Sequence, residues 1–327
     1  MKTLVSACHD QVWQVRIPLP YPLQWVNAYL IRDREGVTLV DPGLHTEEAL
    51  EAWQEALHQL GIADLNAIRQ IVLTHHHPDH FGLAGWFQAR SGAPVLMSPE
   101  AWKQAQLLWG DGQPASPRIL RQFRMHGMDK PMLDKMAAHL QSFVPRVTPF
   151  PTTVTLLSPG QTICFGGTAW LALHTPGHAY GHLSLYDSAE RRLFCGDHVL
   201  PRITPNIGLD LGLDDNPLAS YLQSLSEMKK REVSLAFPGH REPFTDYRSR
   251  LSALEQHHDE RLARIRHELK TPMTVYALCR RLFGERLSVH NLRFAMAETL
   301  AHVVYLERQD EIRRIGDSEP VLYGLRV

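Results

Sequence analysis

Apolar and polar residues alternate over Val12 to Ile17, Trp25 to Ile31 and Val37 to Val40, which predicts three strands of a first sheet. From Thr46 to Leu60 the period changes. Leu50, Trp53, Leu57 and Leu60 recur at helical spacing and form a one-sided stripe that should face that sheet. A second strand and helix follow at Ile71 to Thr74 and Gly82 to Arg90. Strand-type runs resume at Val154 to Leu157, Thr162 to Phe165, Ala169 to His174, His182 to Tyr186 and Arg192 to Cys195. A helix from Leu218 to Lys230 then precedes a last strand beginning at Val233.

Two segments break this alternation. Pro99 to Pro151 carries helical stretches near Ala101 to Leu108, Pro117 to Met125 and Lys130 to Phe143. Its Trp102, Trp109, Phe123, Met125, Met128, Met132, Met136 and Phe143 predict either a lid over a site, accepting a greasy acyl or alkyl group, or an insert packed onto the main body. From about Arg248 the chain reads as helices at Ser249 to Leu269, Thr274 to Phe283 and Ser288 to about Val303. Short β-type runs follow at Val303 to Leu306 and Glu311 to Ile315, around the turn-like Gln309-Asp310, with Val321 to Leu325 closing the chain. The expected division is residues 1–246, with an insertion at about 99–151, and residues 247–327.

The candidate chemistry sits at strand ends. Directly after Ile71-Val72-Leu73 the chain reads Thr74-His75-His76-His77-Pro78-Asp79-His80. Alternate residues of an extended segment project to one side, so His75 and His77 can grip one ion and His76 should point away. Asp79 and His80, where the chain turns into a helix, can reach a second. A hydrolytic two-metal centre needs further ligands around ions roughly 4 Å apart. Thr175-Pro-Gly-His178, Cys195-Gly-Asp197 and Phe237-Pro-Gly-His240 each place a ligand-type side chain just past a short β run. Loops leaving strands at one end of a sandwich can converge on one point.

These motifs, in this order over roughly Val12 to Arg241, resemble the metallo-β-lactamase fold superfamily of hydrolases, and Asp41 in Val40-Asp-Pro-Gly43 matches a further landmark. The resemblance implies an α/β (α+β) fold, a four-layer αββα sandwich. It implies His75, His77 and His178 on one metal, Asp79, His80 and His240 on the other, and Asp197 bridging both. Asp41 would orient a ligand histidine by hydrogen bonding, and His182, beside the ligands, would support them from behind, as His174 and His198 would. The remaining histidines, His126, His257, His258, His267, His290 and His302 among them, lie away from every motif and read as structural. The C-terminal order of helices and ribbon resembles, more weakly, the winged-helix domain attached to some proteins of this superfamily, including an endoribonuclease group.

Two divalent ions make a hydroxide from a bridging water near neutral pH and polarise the substrate oxygen, with Asp79 placed to handle the proton. Histidine with carboxylate suits zinc, iron or manganese. Esters, thioesters, lactones and phosphodiesters all fit this scheme, so the fold alone does not choose the substrate. Acyl-homoserine-lactone hydrolases carry a tyrosine three residues after the bridging aspartate, where this chain has Leu200. Secreted β-lactamases alter the Asp79-His80 pair, which is intact here. A small ester or thioester, as in hydroxyacylglutathione hydrolases, is the expected substrate, although their basic glutathione-binding residues do not align. The rivals are a phosphodiesterase or endoribonuclease, and a nucleic-acid-binding regulator with non-catalytic metals. Tyr180, Arg202 and Asn206, near the ligand loops, are candidate substrate contacts.

Composition narrows the partners. Apolar content of 44%, charge of 21% and a formal net charge of −1 suit a globular enzyme and give no reason for long-range attraction to nucleic acid or anionic membrane. From Tyr247 onward 14 Lys and Arg stand against 11 Asp and Glu, a net +3, and the third helix offers Arg293 alone in its middle. A nucleic-acid reader shows a basic face. A packing or dimerisation module is therefore the preferred reading of that region. The N-terminus has no signal-like apolar core, no run of about 18 apolar residues occurs, and Cys8, Cys164, Cys195 and Cys279 are scattered without Cys-x-x-Cys spacing. A cytoplasmic location without membrane contact is expected, with Cys195 as a small packing residue.

Overall fold

The structure is a computed structural model that describes residues 3–110, 115–209, 213–316 and 318–326. Met1 and Lys2 of the N-terminal stretch, and 111–114 of the insertion, lie outside the described residues, as do 210–212, 317 and 327. A first sheet runs in order β1 (Val5–His9), β2 (Val12–Pro18), β3 (Trp25–Arg32), β4 (Val37–Val40), β5 (Ile68–Val72), β6 (Val95–Met97) and β7 (Val154–Leu156). The second sheet is ordered β12 (Leu235–Pro238), β11 (Arg192–Gly196), β10 (Leu183–Asp187), β9 (Thr168–His174) and β8 (Thr162–Phe165). The helices of the main body are α1 (Glu47–Gln59), α2 (Pro78–Phe81), α3 (Ala84–Ser91), the insertion's α4 (Pro99–Trp109), α5 (Ser116–Met125) and α6 (Lys130–Gln141), and α7 (Pro217–Met228). The C-terminal unit holds α8 (Tyr247–Glu268), α9 (Val275–Phe283), α10 (Val289–Arg308) and a small sheet of β13 (Met273–Thr274), β15 (Leu322–Leu325) and β14 (Ile312–Ile315).

Strand periodicity explains the layering. On β3, Tyr29 and Ile31 face inward and join Val40, Val72, Trp170, Leu185, Phe194 and Phe237 between the two sheets. Val26, Ala28 and Leu30, one residue out of phase, face the opposite way and pack with Trp53 of α1 and Phe87 of α3. On the outer face of the second sheet, Leu173, Tyr186 and Leu193 meet Tyr221 and Leu225 of α7 and Leu251 and Leu254 of α8. The result is αββα, as expected. Both faces of each sheet are covered, so central strands such as β3 are buried along nearly their whole length.

One expectation is corrected. Val303 to Leu306 is not a strand: α10 continues to Arg308, because Leu300, Val303 and Leu306 complete a buried stripe against the other C-terminal helices and packing overrides β propensity. The ribbon is instead β14 paired with β15. Most of the insertion's apolar side chains pack it onto the rest of the molecule, as the second of its two readings expects, and Phe143 lines the cavity described below. Phe123, Met128 and Met136 pack into the C-terminal unit's core, while Trp109 packs against the first sheet's helical side and donates Nε1 to the His76 carbonyl at 3.3 Å. The edge strand β1 and the short β6 were not expected from the pattern. Among the described residues, no helix is long and apolar enough to cross a membrane.

Candidate metal centre

The first motif leaves the buried end of β5 and enters α2 with Pro78 as its first residue. Proline there loses no hydrogen bond, and its fixed φ starts the helix at once, so Asp79 and His80 fold back over His75. Asp41, at the end of neighbouring β4, fixes this bend from below with a backbone held at φ 51°. Its carboxylate accepts from the Thr74 backbone N–H at 2.8 Å, the Thr74 hydroxyl at 2.7 Å and His80 Nδ1 at 2.9 Å. With those acceptors used, Asp41 orients His80 and leaves its Nε2 facing the cluster.

The tautomers follow from the partners. The Thr74 hydroxyl gives its one proton to Asp41, so the 2.9 Å contact to His75 Nδ1 requires the ring to donate. His178 Nδ1 and His240 Nδ1 each lie 2.9 Å from a carbonyl, of Asn206 and Trp25, which can only accept. Each of these rings therefore turns Nε2 inward, and on His75 and His178 that nitrogen carries a lone pair. His77 Nδ1 sits 3.1 Å from His75 Nε2 and 3.0 Å from His178 Nε2. Burial, reinforced by the neighbouring imidazoles, holds His75 and His77 well below the usual histidine range and lowers His178, so these rings are neutral.

A second group stands beside the first. His240 Nε2 lies 3.3 Å from Asp79 Oδ2 and 3.3 Å from Asp197 Oδ2. His80 Nε2 lies 3.9 Å and 3.5 Å from the same two oxygens. Asp197 Oδ2 is also 3.6 Å from His178 Nε2, so one carboxylate touches both groups. Burial opposes ionisation of Asp197, but the His240 and His80 rings hold its carboxyl well below the usual range. Burial likewise opposes protonation of His240, yet Asp197 and Asp79 push it up to about 10.

The donors fit divalent metal. His75, His77 and His178 present ligand atoms within 4.8 Å of one another, as do Asp79, His80 and His240. His80 Nε2, His240 Nε2 and Asp197 Oδ1 are buried with no hydrogen-bond partner, an arrangement that is costly unless a cation satisfies it. Nitrogen with carboxylate suits zinc, iron or manganese. His76 is buried outside both groups, as expected. His182 lies behind His75, with ring centroids 5.1 Å apart and its Nδ1 on the Thr175 hydroxyl at 2.8 Å. If Asp41 holds His80 in place for an ion, Asp41→Asn should weaken metal binding at the Asp79, His80 and His240 group by about 10–100-fold, since an amide cannot satisfy three donors. Chelator competition on the purified variant reads this directly, and unchanged affinity would remove the role.

Both groups open onto one cavity of about 270 Å³. Its walls include Tyr21 and Leu23 of the loop between β2 and β3, Phe143 at the end of the insertion, Leu200 and Ile203, and His290, Asn291, Arg293 and Phe294 of α10. Arg293 lies with its guanidinium 4.9 Å from the Phe294 ring centroid and 5.7 Å from that of Phe143. Of the three candidate substrate contacts, Asn206 lines this cavity. Tyr180 does not: it borders a smaller pocket behind His77 and His178. Arg202 is exposed and off the cavity wall, which this segment enters at Leu200 and again from Ile203 to Asn206. His290, read as structural from sequence, is on the wall and stacks on Tyr21 with centroids 4.3 Å apart.

Comparison with known proteins agrees with this geometry. Residues 25–240 match the metallo-beta-lactamase superfamily, and residues 262–323 match the metallo-beta-lactamase-like C-terminal domain. A crystal structure of a metallo-beta-lactamase family protein from Thermus thermophilus is 34% identical, with a TM-score of 0.88, covering 98% of this chain and 100% of that chain. A probable metallo-hydrolase of Bacillus subtilis is 27% identical over 96% of this chain and 98% of its own length. An atrochrysone carboxyl ACP thioesterase of Aspergillus chevalieri is 25% identical over 76% of this chain and 61% of its own length. The chain belongs to the metallo-beta-lactamase superfamily and is a metal-dependent hydrolase of that family.

Proposed function

We propose that this hydrolase cleaves small esters or thioesters carrying an apolar acyl group, with two divalent ions, zinc suiting the donors best. The observation that carries the reading is the cavity: both ligand groups open onto walls formed mainly by Tyr21, Leu23, Phe143, Leu200, Ile203 and Phe294. Divalent ions bound to the two groups would supply Lewis acidity and lower the pKa of water. Asp79 is the ligand-group carboxylate most open to the cavity, its side chain 21% exposed against 8% for Asp197. Its position suits it to take a proton from attacking water and return it to the leaving group. Burial pushes the Cys195 thiol far above its ordinary range, so it offers no competing thiolate. The thioesterase relative supports the acyl class. Arg293 and Asn291 give the wall its polar contacts, which leaves room for a hydroxyacylglutathione-like substrate within the same reading.

The nucleic-acid alternatives gain no support here. Most of α10, including Leu292, Met296, Leu300 and Val303, is buried and cannot enter a groove. The test is a series of acyl thioesters of increasing chain length, with hydroxyacylglutathione and an aryl phosphodiester, run on metal-loaded and chelator-stripped protein. Thioester turnover should vanish on stripping and return with zinc. The ratio kcat/KM should rise about fourfold per added methylene until the cavity is full, from roughly 0.8 kcal/mol for each buried CH₂. Faster cleavage of the phosphodiester than of every thioester would reverse the assignment.

A further inference from the structure

The segment between Asp197 and α7 belongs to the catalytic domain by sequence but is held by the C-terminal unit. Arg250 of α8 donates from Nε to the Leu200 carbonyl at 2.6 Å and from Nη2 to the Ile203 carbonyl at 2.8 Å. The Leu209 N–H donates to the Ala297 carbonyl of α10 at 3.0 Å. A methyl added at Gly208 would sit 3.0 Å from the Ala297 Cβ, so loop and helix are in contact there. Between these clamps lies Asn206. Its backbone carbonyl accepts from His178 Nδ1 at 2.9 Å, and its side-chain amide donates to the Phe294 carbonyl at 3.1 Å and to Glu298 Oε2 at 3.0 Å. Glu298 is itself buried, 9% exposed, with Arg261 of α8 at 3.8 Å from its other oxygen. A carboxylate placed this deep on a helix is costly unless its partners need it there.

We infer that Asn206 and Glu298 are positioning residues for the His75, His77 and His178 ion site, so that the C-terminal unit sets metal affinity in the neighbouring domain. This rests on the two-ion reading above. The amide fixes the Asn206 carbonyl, the carbonyl fixes the tautomer and direction of His178, and His178 Nε2 is thereby aimed at the ion. Losing either side chain lets the carbonyl swing and His178 with it. Partners of ligand histidines commonly contribute in this way, and their loss lowers affinity by about 10–100-fold.

The test uses Co²⁺, read by its visible absorption and by chelator competition, in a His240→Ala background that leaves the three-histidine group. There Asn206→Ala and Glu298→Ala should each weaken Co²⁺ binding by about 10–100-fold and alter the absorption bands, while Glu298→Gln, which keeps an acceptor oxygen, should stay within about threefold of its parent. Arg202→Ala, an exposed side chain on the same segment, should change nothing. In a His77→Ala background, which leaves the Asp79, His80 and His240 group, Asn206→Ala should leave affinity as it was. Unchanged binding in the first background, or equal weakening in both, would overturn the inference. Failure of the unmutated chain to bind Co²⁺ would instead overturn the metal reading itself, and this inference with it.

Discussion

Replacing Asp197 with alanine should reduce kcat/KM on any turned-over substrate by at least about a thousandfold, on the order of 4 kcal/mol of transition-state stabilisation. The same change should lower metal content from two ions per chain to one or fewer. The reason is position. Asp197 Oδ2 lies 3.3 Å from His240, 3.5 Å from His80 and 3.6 Å from His178, so its loss takes a ligand from both groups and the carboxylate that lies between them. Two dications with no anion between them repel strongly at low dielectric. In the metal-free protein Asp197 also pairs with the buried His240 and His80 rings, so the variant's melting temperature should fall as well, and metal content per folded chain is the readout that isolates the ligand role. A variant with wild-type rates and two bound ions would remove the bridging role.

Adding one methyl at Gly239 should do nearly as much damage without replacing a ligand. A Cβ there would lie 2.1 Å from Asp197 Oδ1, 2.6 Å from His80 Cε1 and 3.2 Å from Asp197 Cγ. Contacts below 3 Å force something to move, and here the neighbours are the ligands themselves. The backbone cannot yield easily, because Gly239 N–H donates to the Gly196 carbonyl at 2.8 Å and its own carbonyl accepts from Asn27 N–H at 2.7 Å. Gly239→Ala should therefore fold, lose at least one ion and fall about 100-fold or more in kcat/KM, roughly the cost of misplacing reacting groups by an ångström. Full metal content with wild-type turnover would show that the ligands sit elsewhere in solution.

The candidate ligand motifs were legible because each one is confined to a single strand end. His75, His77, Asp79 and His80 occupy one strand-to-helix junction, and His178, Asp197 and His240 each follow a strand whose alternating residues announce it. The walls of the cavity were not legible. His290, Arg293 and Phe294 lie some fifty residues beyond the last ligand, and which face of α10 meets the site is decided by docking of that helix. Nothing in the local sequence marks that face. Tyr180 and Arg202 were chosen for closeness along the chain, which is not closeness in space: one turn of backbone sends Tyr180 behind the histidines and Arg202 to solvent. The end of α10 was misplaced for a related reason, since Val303-Val304-Tyr305-Leu306 reads as a strand until its neighbours in the core are known. Asn206 was picked as a substrate contact, and its strongest connections turn out to be to His178 and Glu298.

Anomalous diffraction from crystals of the zinc-loaded chain tests the two-ion claim most directly. Two peaks are expected, one within bonding distance of His75, His77 and His178, the other of Asp79, His80 and His240, with Asp197 reaching both. A single peak, or a peak away from these residues with His178 or His240 turned to solvent, would contradict it.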